Sequence, residues 1–433
     1  MARTDHSVFA GSGSPAAAPA ALRGRGAVTN VRHRFQRDER SAADPADEPA
    51  LADSVPGSPP GSAPTSVPIY QFAPGQPRSG HPGYPVYPIA ADAGEGGEPS
   101  QRGPTTQVMV EQARKLLSRN DSPDVPFDRA INTYRGCEHG CAYCYARPTH
   151  AYLGYSPGLD FETRLIAKAN AVDALRAELA RPGYRAEPVN IGSATDVYQP
   201  IERTWRLTRG VLELLLETGH PLTIVTKNAL IERDLDILKA LAQRNLVAVY
   251  ISITSLDADL SRSLEPRASA PWRRLQAVKT LADAGVPVGV LAAPIIPFIN
   301  DEFLERIIEE AAQAGAYYAS YTVIRLPWEV KPVFEEWLQA HFPDRAERVL
   351  HRIEDMREGK RNDARFGTRM RGTGIWSDLL RQRFDVAVRR AGLNRRRLQL
   401  DTQQFIAPAP FSRSRGPGFA HGPAPARQLG LFD

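Results

Sequence analysis

The fold and the chemistry of this chain depend on one stretch of its sequence, Arg135-Gly136-Cys137-Glu138-His139-Gly140-Cys141-Ala142-Tyr143-Cys144-Tyr145. All three cysteines of the 433 residues fall within it, at Cys-x3-Cys-x2-Cys spacing. Three thiolates, from Cys137, Cys141 and Cys144, can hold three corners of an iron-sulfur cube. With no fourth cysteine in the chain, the spacing predicts a cluster whose fourth iron is open to chemistry.

A structural zinc ion is the main alternative for the three cysteines. Such a site takes four protein ligands, and His139 is the candidate for the fourth. His139 lies inside the same tight loop, where closing a tetrahedron is awkward, so the spacing favours the cluster over zinc. A disulfide framework is disfavoured, because three clustered cysteines cannot staple a large chain.

The composition indicates how large a folded domain the chain can form and in which cellular compartment it is expected. Hydrophobic residues make up 42% of the chain, and the apolar runs after residue 125 can fill one large core. No stretch of about 20 apolar residues occurs, so no membrane span is expected. The N-terminus has no apolar segment of the kind that directs secretion. An oxygen-sensitive cluster without other thiols predicts a reducing cytoplasm.

Residues 1–104 differ in composition from the rest. They are dominated by Ala, Pro, Gly and Ser, and we expect them to be largely disordered. One island, residues 23–35, is basic and carries an aromatic side chain. A solvated arm is the default expectation for it, and docking on the core or contact with nucleic acid is the alternative.

From residue 105 onwards, apolar periodicity predicts alternating strands and helices. A short amphipathic helix is expected at 108–117 and a first strand at 131–134, entering the cysteine loop. Further strands are expected at 189–193, 222–226, 247–254, 286–293 and 318–324. Helices are expected at 207–217, 231–241, 272–284 and 303–314. The alternation predicts an α/β fold with six parallel βα units over residues 105–330.

The cysteine motif, with Tyr143 just before its third cysteine, resembles the signature of the radical S-adenosylmethionine (SAM) superfamily. The resemblance implies a partial (β/α)6 TIM-like barrel and a [4Fe-4S] cluster on Cys137, Cys141 and Cys144. It further implies that SAM binds the open iron and is cleaved to methionine and a 5′-deoxyadenosyl radical. A monomer and an electron donor such as flavodoxin or ferredoxin are expected with it.

Two of the strand ends carry polar residues suited to the methionine part of SAM. After the second strand come Gly192, Ser193, Thr195 and Asp196, which can accept hydrogen bonds from a cationic amine. The alternative is an ordinary polar turn before an N-capped helix. Lys227 follows the third strand and can pair with the SAM carboxylate.

The fourth and fifth strands carry candidates for the rest of the ligand. Ser252 and Thr254 share one side of the fourth strand. Arg267 follows them and can bind a carboxylate or ribose hydroxyls, with a surface ion pair to Glu265 as its simpler role. The fifth strand ends in small apolar residues that allow close approach to an adenine, unless they are plain core. These residues are Ala293, Pro294 and Ile295.

The order of these motifs resembles the spore photoproduct lyase-like branch of the superfamily, over about residues 105–410. A lyase-like bacterial group carries Ser122-Pro123-Asp124-Val125-Pro126-Phe127-Asp128 before the cysteines. The likeness implies that Lys227 and Ser252 contact SAM and that Tyr143 packs near its adenine.

One departure from the lyase pattern concerns the return of hydrogen. The lyases use a cysteine at the end of the second strand as hydrogen donor, and this chain has Ser193 in that register. Because a serine O–H bond is too strong for that role, Tyr145 and Tyr198 are the candidate redox-active residues. The alternative is that either tyrosine merely packs.

The end of the chain reads Gln428-Leu429-Gly430-Leu431-Phe432-Asp433, after a Pro- and Gly-rich tether at 416–425. It resembles the peptide by which replication and repair proteins bind the sliding clamp. A flexible tail over 411–433 would present Gln428 for hydrogen bonding and three apolar anchors, Leu429, Leu431 and Phe432. The alternative is a tail strand pinned to its own domain.

Charge is concentrated within the basic helical extension expected at 331–410. Residues 357–397 hold 13 Arg or Lys against four acids, a net +9, whereas the whole chain carries only +5. Such a face predicts binding to the phosphate backbone of DNA, with RNA as the alternative. The candidate contacts are Arg369, Arg371, Arg395, Arg396 and Arg397. A solvated Arg-rich helix pair is the alternative.

The function expected from these features is that of a radical SAM enzyme that acts on DNA in repair. Three alternatives remain open. They are a radical SAM enzyme acting on RNA, one acting on a small molecule or peptide, and a non-enzymatic iron-sulfur or zinc DNA-binding module.

Overall fold

The computed structural model describes residues 21–36 and 104–409. The expectations for residues 1–20, 37–103 and 410–433, including the clamp-binding peptide, lie outside the described residues.

The described residues form ten strands and eleven α-helices. The strands are β1 (Gln107–Glu111), β2 (Leu117–Arg119), β3 (Arg129–Ile131), β4 (Tyr134–Arg135), β5 (Arg164–Lys168), β6 (Val189–Ile191), β7 (Leu222–Thr226), β8 (Val247–Ser252), β9 (Val288–Ile295) and β10 (Tyr318–Val323). The helices are α1 (Leu159–Thr163), α2 (Ala171–Leu179), α3 (Glu202–Trp205), α4 (Leu207–Glu217), α5 (Leu235–Gln243), α6 (Ala258–Leu264), α7 (Pro271–Asp283), α8 (Leu304–Gln313), α9 (Val330–His341), α10 (Pro343–Asp355) and α11 (Gly374–Ala391). Short 3-10 helices occur at Arg147–Leu153, Ala229–Asp234 and Asp301–Phe303.

Seven strands form the main sheet, in the order β10-β9-β8-β7-β6-β3-β2. The six from β3 to β10 in this order are mutually parallel, and β2 closes one edge in the antiparallel direction. Because β10 and β2 do not pair with each other, the sheet is open, as in a partial barrel. The α/β fold with six parallel strands is confirmed.

The main sheet is held by apolar burial on both of its faces. Most side chains of β8 are buried, including Val247, Val249 and Ile251. Across the sheet's face, α4 buries Val211 and Leu215. Each fully buried side chain of this size contributes roughly 1.5–3 kcal/mol, so these alternating elements supply most of the core's stability.

The helix expected at 108–117 is wrong. The run Gln107–Glu111 is instead β1, which pairs in parallel with β5 in a separate three-stranded sheet. Val108 and Val110 alternate along it, and both pack on a small cluster that includes Leu165. Period-two alternation therefore outweighed the helical spacing.

The first strand, expected at 131–134, is divided between two sheets. β3 ends at Ile131 in the main sheet, and β4 joins the small sheet beside β5. The remaining strands lie within about three residues of expectation, and α4 and β7 have the expected bounds. The helix expected at 231–241 begins as a 3-10 turn before α5.

The basic island is not a solvated arm. Within residues 21–36, the side chains of Arg25, Ala27 and Val28 are buried against the barrel. Arg25 donates hydrogen bonds to the carbonyl oxygens of Glu162 and Pro104, at 3.1 and 2.6 Å. The docking alternative is therefore the correct one. We call residues 21–36 the docked segment.

Candidate active site

The carboxyl ends of the parallel strands and the cysteine loop meet at one edge of the main sheet. Parallel strands place the residues that follow them at the same edge. Contacts between these residues agree with that: Thr195, after β6, donates a hydrogen bond of 2.6 Å to the carbonyl of Gly136 in the cysteine loop. Asp196 reaches β7, where it accepts a hydrogen bond of 2.7 Å from Thr226.

The cysteine loop is buried and tied to its surroundings through the main chain. Cys137 and Cys141 are buried, and Cys144 is partly buried. The amide of Cys137 donates to Phe161, at 2.9 Å, and the amide of Ala142 donates to Leu264, at 3.0 Å. Burial raises the pKa of the Cys137 thiol well above its ordinary value. A dry loop with three soft sulfur donors fits an iron-sulfur cluster, whose iron would supply the charge that stabilises thiolates.

Glu162 connects the cysteine loop to the docked segment. Its two carboxylate oxygens accept the amides of Gly26 and Ala27, at 3.1 and 2.8 Å, and it forms a fully buried ion pair with Arg147. Arg147 in turn donates to the carbonyls of Gly140 and Cys141, at 3.1 and 2.9 Å. The loop that carries the cysteines is therefore clamped by a residue from α1 and by a segment more than 100 residues earlier.

His139 is poorly placed to act as a metal ligand. Its Nδ1 atom lies 3.3 Å from the Oδ2 atom of Asp196, and its Nε2 atom lies 3.0 Å from the side-chain nitrogen of Asn228. Nε2 is thus hydrogen-bonded, and Nδ1 faces the Asp196 carboxylate although it makes no hydrogen bond. Because both ring nitrogens face protein groups, a zinc ion would have to displace Asp196 or Asn228 to bind His139, which disfavours the zinc alternative.

The described residues also lack a site for a single metal ion. Among residues 21–36 and 104–409, no three His, Cys, Asp or Glu side chains converge closely enough to hold one metal ion. In a [4Fe-4S] cluster each cysteine binds a different iron, so convergence on a single ion is not what that group requires.

Asp196 organises the site instead of presenting a free carboxylate. It accepts hydrogen bonds from the amides of Tyr198 and Lys227, at 2.9 and 2.8 Å, besides that from Thr226. Burial raises the pKa of the Asp196 carboxyl, but His139 and these donors outweigh it and bring the pKa to about 2. Most of the acceptor capacity of Asp196 is therefore used within the protein, which disfavours the expected bond from a ligand amine, and that contact stays a prediction.

Two further predicted contacts also face the protein. The hydroxyl of Thr195 is committed to the cysteine loop, where it also accepts a hydrogen bond of 3.0 Å from Gln199. Arg267 pairs with the buried Glu138 at 3.0 Å, not with Glu265. Both side chains therefore brace the loop that carries the cysteines.

Lys227 is the cation that faces the cysteine loop. Among the described residues it makes no ion pair within 4 Å, and its Nζ atom lies 5.8 Å from the centre of the Tyr143 ring. Burial lowers the pKa of Lys227, but Cys141 and Glu265 outweigh it and the net shift is upward. The ammonium is therefore charged and open to an anionic ligand.

Glu265 is the centre of a buried network beside Lys227. It accepts hydrogen bonds from the hydroxyls of Tyr143 and Thr254 and forms a buried ion pair with Arg274. Arg274 also donates to the carbonyl of Ser252, at 3.1 Å. Tyr143 and Thr254, both predicted ligand contacts, are thereby held in fixed orientations.

The ends of β8 and β9 are joined at the site. Ser252 donates a hydrogen bond of 3.1 Å to the carbonyl of Ala293, which precedes Pro294 through a cis peptide bond. Ile295 is fully buried. Of this group, Ala293 and Pro294 are partly exposed and are therefore the residues that a ligand could reach.

Tyr145 and Ser193 lie together at the open side of the site. The Tyr145 hydroxyl donates a hydrogen bond to the carbonyl of Ser193, and its ring is 52% exposed. The hydroxyl of Ser193 accepts a hydrogen bond of 3.1 Å from Asn132. The guanidinium of Arg325, two residues after β10, lies 5.2 Å from the Tyr145 ring centre.

Tyr198 is not at the open side. It is fully buried in the main core, and the guanidinium of Arg233 lies 6.0 Å from its ring centre. Of the two tyrosines considered as hydrogen donors, the structure brings only Tyr145 to the exposed part of the site.

The basic stretch is partly neutralised by acids from elsewhere in the chain. Arg369 pairs with Asp124, Arg383 with Glu305, and Arg361 with Glu335 and Glu354. The guanidinium of Arg371 lies 3.8 Å from the ring centre of Tyr321. Counting charges along the sequence therefore overestimated the free charge of this face.

The cations that stay exposed cluster after α11. Arg395, Arg396 and Arg397 are exposed and have no ion pair among the described residues, and Arg389 and Arg390 end the helix before them. Arg369 has a different role: with Ser122 and Asp124 it ties the 367–369 turn to the Ser122–Asp128 motif. The predicted Arg395–Arg397 cluster is thus the accessible part of the basic patch.

Residues 131–311 match the family model of the Radical SAM superfamily. The match covers less than half of the chain and shows that this part is similar to the radical SAM domain. Among curated proteins, an uncharacterised protein of Mycobacterium tuberculosis is 37% identical over 222 residues, which cover 51% of this chain and 65% of that protein. An uncharacterised protein of Methanocaldococcus jannaschii is 26% identical over 247 residues, covering 57% of this chain and 88% of that protein.

The chain spans a little under two thirds of the length of the mycobacterial relative. Among solved structures, spore photoproduct lyase complexed with dinucleoside spore photoproduct is 19% identical, with a TM-score of 0.48, over 65% of this chain and 79% of that one. In the residues that the structure describes, no helix is long and apolar enough to cross a membrane.

Sequence patterns did not reveal several residues that shape the site. Glu162 and Arg147 lie 15 residues apart, at no motif spacing, and meet only because α1 folds back on the cysteine loop. Glu138, Arg274 and Arg325 have no local signal either. Glu265 was considered only as an ion-pair partner of Arg267, and it pairs with Arg274 instead.

Proposed function

We propose that the protein is a radical SAM enzyme that abstracts hydrogen from a nucleic-acid substrate, most consistently DNA under repair. The observation that carries the proposal is the buried cysteine loop with one charged, unpaired ammonium beside it. When bound, a [4Fe-4S] cluster and SAM would supply a 5′-deoxyadenosyl radical.

The residues around the loop would bind and orient SAM. Cys137, Cys141 and Cys144 would hold the cluster, and Lys227 would pair with the SAM carboxylate. Gly192 and Ser193 offer main-chain groups to the SAM amine, in place of the occupied Asp196. Ala293 and Pro294, fixed through Ser252, would lie against the adenine, whereas the buried Ile295 would support them from the core.

Hydrogen return would fall to Tyr145, if the reaction needs a protein donor. Its phenol lies at the open side of the site, whereas Tyr198 is enclosed in the core. Arg325 beside its ring would stabilise negative charge on a bound substrate.

The reaction is tested by anaerobic reconstitution of the full chain. We expect about four irons per chain and release of 5′-deoxyadenosine from SAM after reduction, with either dithionite or reduced flavodoxin or ferredoxin. A variant with all three cysteines changed to alanine should do neither. A full cluster with no release of 5′-deoxyadenosine would contradict the enzymatic proposal and favour a non-enzymatic iron-sulfur module.

Phosphate binding is proposed for Arg395, Arg396 and Arg397, the exposed part of the basic patch. Changing all three to glutamine should lower the slope of log affinity against log salt by roughly two to three units, because each phosphate contact releases about one counterion. Arg306→Gln, in the first turn of α8 and outside the basic patch, is the control and should leave the slope unchanged. An unchanged slope in the triple variant would remove this surface from the DNA interface.

We further propose that the protein is cytoplasmic and that the end of its chain binds a partner protein. We propose that Gln428, Leu429, Leu431 and Phe432 bind the sliding clamp and bring a monomeric enzyme to DNA. Leu431→Ala with Phe432→Ala should abolish retention on immobilised clamp, whereas Asp433→Ala should not. Full retention of the double variant would refute the assignment.

A further inference from the structure

Exposed aromatic rings gather beside the candidate active site. Among the described residues six aromatic side chains are more than half exposed, and four of them lie on this rim: Phe35, Tyr145, Tyr152 and Trp328, exposed by 51, 52, 68 and 64%. Exposed rings scattered singly need no explanation, but a cluster of them marks a binding surface.

The rings form one connected surface. The centres of Phe35 and Tyr152 are 5.1 Å apart. The guanidinium carbon of Arg34 lies 4.8, 5.1 and 4.5 Å from the ring centres of Phe35, Tyr152 and Trp328. Arg34 is held in place by Glu329, at 2.6 Å. We call Arg34, Phe35, Tyr152 and Trp328 the aromatic platform.

The platform borders the reacting side of the molecule. Trp328 follows Arg325 by three residues, so their Cα atoms are at most about 11 Å apart. Arg325 lies over the Tyr145 ring, which contacts Ser193 at the site itself. Tyr152 lies in the last turn of the 3-10 helix Arg147–Leu153, which starts just after the cysteine loop.

The backbone at Trp328 argues against a purely structural role. This residue has φ = 45°, in the left-handed region that a bulky side chain rarely adopts. The strained backbone leaves most of a large apolar side chain in solvent, so burial offsets little of the strain in the free protein. Backbone strain combined with an exposed apolar ring persists mostly at positions that contact a ligand.

The chemistry of the platform fits unpaired nucleobases. Bases stack on aromatic rings and on guanidinium planes, but only where their faces are not covered by neighbouring base pairs. Arg325 makes no ion pair among the described residues and is placed to meet a backbone phosphate between the platform and Tyr145.

We propose that the aromatic platform stacks unpaired bases next to the target nucleotide, so that the substrate binds as a single strand or with its bases flipped out. This inference rests on the proposed function and specifies the form of its nucleic acid. The docked segment, through Arg34 and Phe35, is then part of the substrate site.

The test measures binding of a fluorescein-labelled oligothymidylate and of a blunt duplex of equal length to the reconstituted protein. The wild type should bind the single strand more tightly. Trp328→Ala should weaken that binding roughly tenfold, and addition of Tyr152→Ala should weaken it further, as expected for lost base stacking. Trp328→Tyr should restore most of the affinity.

Trp272→Ala is the matched control, because Trp272 is as exposed as Tyr152, at 68%, but lies at the start of α7, outside the platform. It should leave binding unchanged. Equal affinities of wild type and Trp328→Ala, tighter binding of the duplex, or no binding of either probe would overturn the platform. Release of 5′-deoxyadenosine is measured on the same samples: its presence with unaltered binding rejects the platform alone, and its absence in the wild type rejects the enzymatic proposal.

Discussion

Gly26 of the docked segment lies against Gly140 of the cysteine loop so closely that a Cβ atom on Gly26 would stand 1.6 Å from the Gly140 carbonyl oxygen. Gly140 itself has φ = 66°, which suits glycine. The two glycines therefore form the contact through which an N-terminal segment shapes the loop that carries all three cysteines.

Gly26→Val should reduce the iron content of the reconstituted protein. The added side chain must displace either the docked segment or the cysteine loop, because its clash is with main-chain atoms. Iron analysis and the cluster's visible absorption measure the effect. Ala21→Val, at an exposed position of the same segment, should reconstitute like the wild type. Equal iron in both variants would show that the loop does not depend on this contact.

Glu162→Gln should destabilise the fold and the cluster together. It leaves Arg147 buried without its counter-charge, a change that costs on the order of 3–5 kcal/mol in buried pairs. Urea unfolding under anaerobic conditions measures the loss. Glu187→Gln, at an exposed position, is the control. A variant as stable as the wild type would mean that Glu162 is dispensable.

Lys227→Met should weaken SAM binding by roughly tenfold or more, since one charge-assisted contact is lost. Methionine keeps the apolar stem over the Tyr143 ring and removes only the charge. Equilibrium dialysis with labelled SAM on cluster-loaded protein gives the affinity. Lys239→Met, exposed on α5, should bind as the wild type does; if the two variants match, Lys227 is not a SAM contact.

His220 should make the protein less stable below neutral pH. Burial lowers its pKa from 6.5 to about 4, and it accepts a hydrogen bond of 2.8 Å from Tyr184 as the neutral ring. Between pH 6.5 and 4 the unfolded chain binds a proton that the folded chain does not, so stability falls as the pH falls. This lowering of the His220 pKa corresponds to a loss of about 3 kcal/mol in the free energy of unfolding between pH 6.5 and pH 4.

His220→Gln should flatten this decline, as measured by urea unfolding at a series of pH values. The substitution removes the titrating group but keeps an acceptor for Tyr184. His351→Gln, exposed on α10, should retain the wild-type slope. Parallel slopes for His220→Gln and the wild type would show that another group causes the acid sensitivity.

The sequence predicted the barrel well because its strands and helices are encoded locally. Leu207–Glu217 and Leu222–Thr226 have the observed bounds, since their apolar periodicity agrees with what they bury. Residues 108–117 were misread because Val110, Ala113 and Leu117 have helical spacing, whereas Val108 and Val110 alternate along a strand that pairs with β5.

The site was predictable only where chemistry depends on local spacing. The cysteines are three and four residues apart, so their motif is visible in the chain. The contacts of Asp196, Glu162 and Arg267 join segments that are distant in sequence, and nothing local marks them. The charge count over 357–397 overestimated the free positive charge for the same reason. Folding brings acids from outside this stretch, such as Asp124, into ion pairs with its arginines.

The amide of Ala142, between the second and third cysteines, is anchored on the carbonyl of Leu264. Leu264 is added to the growing chain 120 residues after Cys144. At a translation rate of about 5–20 residues per second, Leu264 is therefore synthesised roughly 6–24 seconds after Cys144, and until then the cysteine loop lacks this hydrogen bond. Delivery of iron and sulfide to this protein should accordingly follow synthesis of the fourth parallel strand and its helix, and the cysteines must stay reduced until then.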